Sequence, residues 1–390
     1  MDDLSLRPSH RRILTELSHT ERLRRSDLSR RLDLPKATVA GLVDDLIARG
    51  LVVESEPSPA GGAGRPARTL ALAGPPPAVG VLVWSTGLLR VAITTLLGDV
   101  VAERVAPMTS QQEIDGLLDP GVAMLREAAG EAKLPVAGLT SLVLGVPAPY
   151  QRGVGMPVRP TGGPTGQYVP WLRDDPGRAL TRRTGTPTVV ENDANLGALG
   201  EYAFGAGQGL DTVVYLKLGP RSIGAGLIIN GRLHRGANGF AGELAHIQIR
   251  DDGVLCACGG RGCLIDEIGP GLTRVLAPAH PEPLTFETML SLAADGDVGL
   301  RRVLGDVGRV IGRPLADLCT MLNPDAIVID GSLGPAGTYL IDGLAEQVVR
   351  YAAPTTAAAV HIVPGALGGH ADLLGAVALI RDEQDRRARR

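Results

Sequence analysis

The sequence predicts a two-part α/β protein, a small helical head in residues 1–73 followed by a larger body of apolar strands and helices from residue 80 onward. Three observations carry this. Gly74-Pro75-Pro76-Pro77 breaks the chain with a stretch that continues neither a helix nor a paired strand and stiffens into a spacer. Upstream, apolar residues recur at helical spacing; downstream, Val189-Val190-Glu191-Asn192-Asp193-Ala194-Asn195 is an apolar strand that ends in a polar cluster. Three of the four cysteines, Cys256, Cys258 and Cys263, also share one glycine-studded loop. A chain of 390 residues suits two or three domains. No apolar run approaches the ~20 residues that span a bilayer, and Met1-Asp2-Asp3-Leu4 lacks the basic and apolar regions of a signal peptide. A cytoplasmic protein without a membrane partner is expected, with reduced thiols free to hold a metal.

In the head, Ile13, Leu14 and Leu17 form a stripe after Pro8 and Ser9 and give a first helix. Ser26 and Asp27 offer N-caps for a second, with Leu28 and Leu32 facing inward. Asp33-Leu34-Pro35 makes a turn. Pro35 suits the first turn of a third helix, along which Val39, Leu42, Val43, Leu46 and Ile47 repeat up to Gly50. Leu51–Val53 and Arg68–Leu72 then pair as strands around a Pro- and Gly-rich tip. This order is the winged helix-turn-helix plan, which lays the third helix in a DNA major groove. Lys36, Ala37 and Thr38 at its start are placed to meet phosphates and base edges, and Arg30 and Arg31 flank the backbone. In the wing, Arg65 of Gly64-Arg65-Pro66 suits a narrow minor groove, with Arg68 at the adjacent phosphate. The charge supports this only slightly. Residues 1–73 carry 12 Lys plus Arg against 10 Asp plus Glu, and the rest of the chain 27 against 32. The alternative is a helical protein-interaction module with a solvated charged face.

The cysteine loop, with His246 ten positions before Cys256, offers three thiolates and one imidazole, which fill a tetrahedral zinc sphere. No position remains for a catalytic water, so His246, Cys256, Cys258 and Cys263 are expected to hold a structural Zn2+. Buried free thiols are the alternative. Cys319 reads as a small core residue. Asn192, Asp193, Glu243 and His246 offer donors and acceptors that match vicinal sugar hydroxyls, and Asp193 suits a proton acceptor. Against this stands the reading that Asn192 and Asp193 merely cap the following helix.

Leu144-Gly145-Val146-Pro147-Ala148-Pro149, Glu191-Asn192-Asp193-Ala194-Asn195, Gly242-Glu243-Leu244-Ala245-His246 and the Cys256–Cys263 loop together resemble the ROK family of repressors, open reading frames and sugar kinases, over residues 1–380. The winged head makes the repressor branch the nearer match. The resemblance implies an actin-like, ribonuclease H-like two-lobed sugar-kinase fold joined to the head: residues 1–73, a linker at 74–79, and a body at 80–390. Its first lobe would span about 80–190 plus 371–390, and its second about 191–370. It also implies that Asn192, Asp193, Glu243 and His246 contact sugar, Asp193 being the kinase base and His246 serving the metal as well.

Departures from the family pattern point away from catalysis. Where family kinases carry Asp-x-Gly-Gly-Thr, this chain has Leu82-Val83-Trp84-Ser85-Thr86, without the acid, and a Trp84 indole is expected to fill the phosphate space. The second phosphate loop, Gly219–Gly226, puts Arg221 and Ser222 where the kinases have Thr and Gly. Phosphoryl transfer depends on positioning phosphate and metal, so a non-enzymatic pseudokinase is expected. The usual Gly-Cys-Leu-Glu is here Gly262-Cys263-Leu264-Ile265-Asp266. Asp266 substitutes for the missing Glu, or the ligand is apolar there, or sugar binding is weakened. A final helix, Leu373–Ile380, is expected to pack on the first lobe, and the charged tail from Asp382 to fray into solvent. No internal repeat is evident. The expectation is a repressor that binds double-stranded operator DNA as a homodimer or tetramer and senses a sugar or sugar phosphate, with the Gly74–Pro77 joint transmitting the signal. The alternatives are residual ATP-dependent sugar kinase activity, or a vestigial cleft without ligand.

Overall fold

The computed structural model describes residues 8–20, 22–55, 68–74, 76–85, 87–108, 114–152, 155, 175–219, 222–256, 258–268, 280 and 284–387. The head consists of α1 (Pro8–His19), α2 (Arg25–Leu32) and α3 (Lys36–Ala48), followed by the antiparallel pair β1 (Val52–Glu54) and β2 (Leu70–Leu72). Its core is Ile13, Leu14, Leu17, Leu28, Leu32, Val39, Val43, Leu46, Val52 and Leu70, the residues whose periodicity defines the helices. Two boundaries differ from expectation. The N-cap of α2 is Arg24, whose amide donates to Asp27 Oδ2 at 3.1 Å, so Asp27 lies in the first turn rather than before it. Pro35 is the N-cap of α3, one position ahead of the helix. The wing tip, with Arg65, lies outside the described residues.

The body holds two five-stranded sheets. The first contains β3 (Ala78–Ser85), β4 (Leu88–Thr95), β5 (Val100–Pro107), β6 (Ser141–Val146) and β7 (Thr188–Asn192), in the order β5-β4-β3-β6-β7. The second contains β8 (Val213–Gly219), β9 (Ser222–Ile229), β10 (Arg232–His234), β11 (Ala326–Ile329) and β12 (His361–Pro364), in the order β10-β9-β8-β11-β12. In each, an antiparallel meander is followed by two strands parallel to the first. The topology is therefore duplicated, although no repeat is legible in the residues. This is the two-lobed ribonuclease H-like plan.

The helices are α4 (Ile114–Glu131), α5 (Pro176–Thr184), α6 (Asp193–Phe204), α7 (Phe286–Asp295), α8 (Val298–Leu322), α9 (Gly337–Tyr351), α10 (Pro354–Ala359) and α11 (Ala371–Arg387). Helices α6 and α11 share one core with strands of both sheets: Val79, Val81 and Val83 from the first, Val213, Tyr215, Ala326 and Val328 from the second. The two helices cross at glycines. A Cβ on Gly200 would stand 1.9 Å from the Ala371 carbonyl oxygen, and one on Gly375 1.7 Å from that of Leu196.

Two expectations about the body fail here. Leu82 and Trp84 alternate with the valines of β3 and so face the opposite side of the sheet, where they pack with Leu118, Val122 and Leu125 of α4. The Trp84 indole therefore fills outer core rather than phosphate space. The tail is not frayed either, since α11 continues to Arg387 and residues 381–385 are half-buried. The body's turn around Leu97 packs against the head core, and Arg11 of α1 donates to Asp385 of α11 at 2.7 Å.

Candidate functional site

The polar cluster forms where β7 meets α6. Asn192 caps α6: its Oδ1 accepts the Asn195 amide at 3.0 Å, while its Nδ2 donates to the Ala148 carbonyl at 3.2 Å. The helix-capping role is thus real, and it fixes the side chain beside Asp193. Glu191, 1% exposed, lies beneath. Its Oε2 receives Arg235 Nε at 2.8 Å and Nη2 at 2.7 Å, with Arg152 Nη2 at 3.2 Å, and its Oε1 accepts from Asn195 Nδ2 at 2.9 Å. A buried carboxylate needs such partners to stay ionised.

Both oxygens of Asp193 are occupied. Oδ1 accepts the Ala194 amide at 2.9 Å, and Oδ2 holds the Lys217 ammonium at 2.9 Å. Lys217, on β8, also reaches Asp372 Oδ2 at 3.2 Å, and Asp372 Oδ1 receives Arg90 of β4 at 3.2 Å. Burial alone would favour the neutral amine of Lys217, but Asp193, Asp372 and Asp330 override it and raise its pKa above the ordinary value. This chain of charges links the first sheet, α11, the second sheet and α6 across the base of the cleft. Sequence reasoning missed it. The available signal was a lysine inside the apolar strand Val213-Val214-Tyr215-Leu216-Lys217-Leu218.

Glu243 is the N-cap of a short 3-10 turn, Leu244–His246, and His246 ends it. Burial, and then the charge of Asp193, push the Glu243 carboxyl up to about 7. Burial holds the His246 imidazole below its ordinary value, opposed by Asp266. His246 Nδ1 lies 3.6 Å from Cys256 Sγ, Cys258 Sγ lies 3.6 Å from Cys263 Sγ, and all four ligand atoms fall within 4.8 Å of one another. A tetrahedral zinc with Zn–S near 2.3 Å and Zn–N near 2.0 Å requires S–S and S–N separations of about 3.8 and about 3.6 Å. Two of the pairs stand close to these separations, and the four ligand atoms are near enough to converge on one ion. Gly262, at φ +63°, makes the loop possible, because a Cβ there would meet the Arg250 carbonyl oxygen at 1.8 Å. Burial, then Asp266, pushes the Cys256 thiol well up, and burial raises Cys263 to about 11. A bound dication is what would convert them to thiolates.

Asp266 therefore faces the thiols, while Ile265 packs against the core of the second sheet. Residues 220 and 221 lie outside the described residues; Gly219 and Ser222, either side of them, pair as the ends of the β8–β9 hairpin.

On the head, Lys36, Ala37 and Thr38 are exposed at the start of α3. Arg30, Arg31 and Arg68 do not stand free: they pair with Asp27, Glu16 and Glu54 at 3.0, 3.0 and 3.2 Å. Such exposed pairs are each worth about 0–1 kcal/mol, so a phosphate competes with them readily.

Residues 89–383 match the ROK family and residues 4–63 the MarR family. A putative xylose repressor of Caldicellulosiruptor sp. (strain Rt8B.4) is 27% identical over 385 residues, covering 94% of each chain. A glucokinase of Streptomyces coelicolor is 32% identical over 233 residues, 55% of this chain and 73% of its own. Among solved structures, a ROK family transcriptional regulator, a homolog of E. coli MLC protein, shares the fold with a TM-score of 0.70 at 24% identity, covering 96% of both chains. The chain belongs to the ROK family, with an N-terminal winged helix-turn-helix of MarR type.

Proposed function

We propose that this protein is a sugar-responsive transcriptional repressor that binds operator DNA as a homodimer and whose cleft senses sugar without phosphorylating it. The observation that carries the reading is the pairing of Asp193. A general base must take the proton of the substrate hydroxyl, and here the Ala194 amide and the Lys217 ammonium already hold one acceptor site on each Asp193 oxygen, so a hydroxyl would share the carboxylate with a cation 2.9 Å from Oδ2. Asn192, Glu243 and His246, with the remaining acceptor sites of Asp193, form the hydrogen-bonding wall for a sugar, with structural Zn2+ on His246, Cys256, Cys258 and Cys263 holding the wall in place. Lys36, Ala37, Thr38, Arg30, Arg31, Arg65 and Arg68 form the DNA-reading surface, and two-fold symmetry of the protein asks for a palindromic site.

Xylose and glucose are the first effectors to test, since relatives of similar sequence are a putative xylose repressor and a glucokinase. A second reading, sugar kinase, is favoured by the retained Asp193 and the likeness to glucokinases, but requires Lys217 to withdraw. A mobility-shift assay on the protein's own promoter region, with and without a sugar panel, tests the proposal. Retardation that a sugar alters, and that Lys36→Ala weakens, is expected. No retardation at moderate salt, or transfer of labelled phosphate from ATP to any of the sugars, overturns it.

A further inference from the structure

The helix that closes the chain reaches in two directions. Its first turns, Ala371 through Ile380, are buried between α6 and the strands. Beyond them, Glu383 accepts from Arg152 Nη1 at 2.6 Å, and Asp385 accepts from Arg11 Nη2 at 2.7 Å and Nη1 at 3.4 Å. Residues two apart on an α-helix project about 200° from one another. One carboxylate therefore faces the body and the other the head. Just before them on the helix, Arg381 donates to the Leu96 carbonyl and stacks 4.6 Å over the Phe204 ring at the end of α6, which pins this stretch of helix in place.

Arg152 is the notable member. It lies between Glu383 and Glu191, with Nη2 3.2 Å from Glu191 Oε2, yet its Nε and Nη2 are buried without a well-aligned hydrogen bond. Charge rather than direction holds it on the Glu191 side. A guanidinium so placed follows its carboxylates when they move, because it is held by Glu383 at 2.6 Å and by the charge of buried Glu191 at 3.2 Å.

We propose that Arg152 is the positioning residue that reports occupancy of the cleft to the head. A ligand that bonds to Asn192 or Asp193 acts on the strand end carrying Glu191; Arg152 transfers that displacement to Glu383, and the rigid turn between Glu383 and Asp385 passes it to Arg11 of α1. The route runs through half-buried ion pairs and a packed helix, independently of the Gly74–Pro77 joint. It rests on the sugar-responsive reading above and names how that response leaves the cleft. A ligand shifts the head only by favouring one of two such arrangements, and the effect is reciprocal between sugar and DNA.

Full-length protein and the variants Arg152→Met, Glu383→Gln and Asp385→Asn test this, with D-xylose and D-glucose as probes. In the wild type the effective sugar changes affinity for the promoter fragment by a coupling factor, typically about 5- to 150-fold. Each variant is expected to bring that factor to within about twofold of unity. Glu383→Gln and Asp385→Asn should keep wild-type sugar affinity, and the Arg152→Met, Asp385→Asn double variant should lose no more coupling than either single variant. A merely structural role would instead lower sugar affinity and melting temperature while leaving the coupling factor intact. Hydrogen exchange of residues 8–19, without DNA or sugar, gives a second readout: α1 should lose protection in Arg152→Met. Folded variants with the wild-type coupling factor, or unchanged protection of α1, overturn the proposal. If the wild type itself fails to bind DNA, the functional reading falls, and the exchange result still decides whether Arg152 ties cleft to head.

Discussion

Replacing Lys217 with methionine keeps most of the apolar stem of the side chain and removes the ammonium shared by Asp193 and Asp372. The two contacts, at 2.9 and 3.2 Å, each amount to roughly 5–6 kcal/mol of gross attraction at an effective dielectric near 20. Desolvation of the lysine offsets much of that. What remains is the cost of leaving Asp193 without its cation and Asp372 with Arg90 alone, since Asp193 and Asp372 are 13% and 9% exposed at their side chains. Breaking one partner of such a group costs about 3–5 kcal/mol. Urea unfolding of Lys217→Met at neutral pH should show a loss of this size. Adding Asp193→Asn should recover part of it, because one of the stranded charges is gone, so the double variant should be more stable than Lys217→Met alone. A loss below about 1 kcal/mol, or a double variant no more stable than the single, would refute the view that Lys217 neutralises the base position.

Two further outcomes follow from the site. The purified protein should carry one zinc per chain by elemental analysis, and Cys258→Ser should lose the metal together with several degrees of melting temperature and sugar affinity; full sugar binding without metal would remove zinc from the sensing wall. Glu243, held up at about 7 against an ordinary 4.5, binds its proton more tightly folded than unfolded. Its contribution to stability is therefore complete below about pH 4.5 and disappears as the pH rises through about 7, a change of order 3 kcal/mol. Between pH 5 and 7.5 the wild type should lose stability relative to Glu243→Gln. A constant difference between the two across that range would show that Glu243 keeps an ordinary pKa.

The features legible in the residues are short in range. The stripe of Val39, Val43 and Leu46, the spacing of Cys256, Cys258 and Cys263, and the strand ending in Asn192 and Asp193 each lie within a dozen positions, where helix pitch, strand alternation and ligand spacing act directly on neighbouring residues. Even there, periodicity gave the elements more surely than their roles. Trp84 was read as filling the phosphate space, because strand alternation says that it opposes Val83 but not which face meets the cleft; the packing of α4 against one side decides that. Asp266 likewise stood next to the expected carboxylate position in the chain and turned towards the thiols in space.

By itself, then, the sequence determined the winged head, the cluster of three cysteines and a histidine, and the motif that marks the cleft, since each is built from neighbours along the chain. Tertiary structure alone decided the charge state of that cleft and its connection to the head. Lys217 and Asp372 are 155 positions apart, Arg152 and Glu383 are 231, and Arg11 and Asp385 are 374. A charged residue at such distance from its partner looks like any solvated surface group, as the tail did, until folding removes the water that would otherwise satisfy it and makes the pairing obligatory.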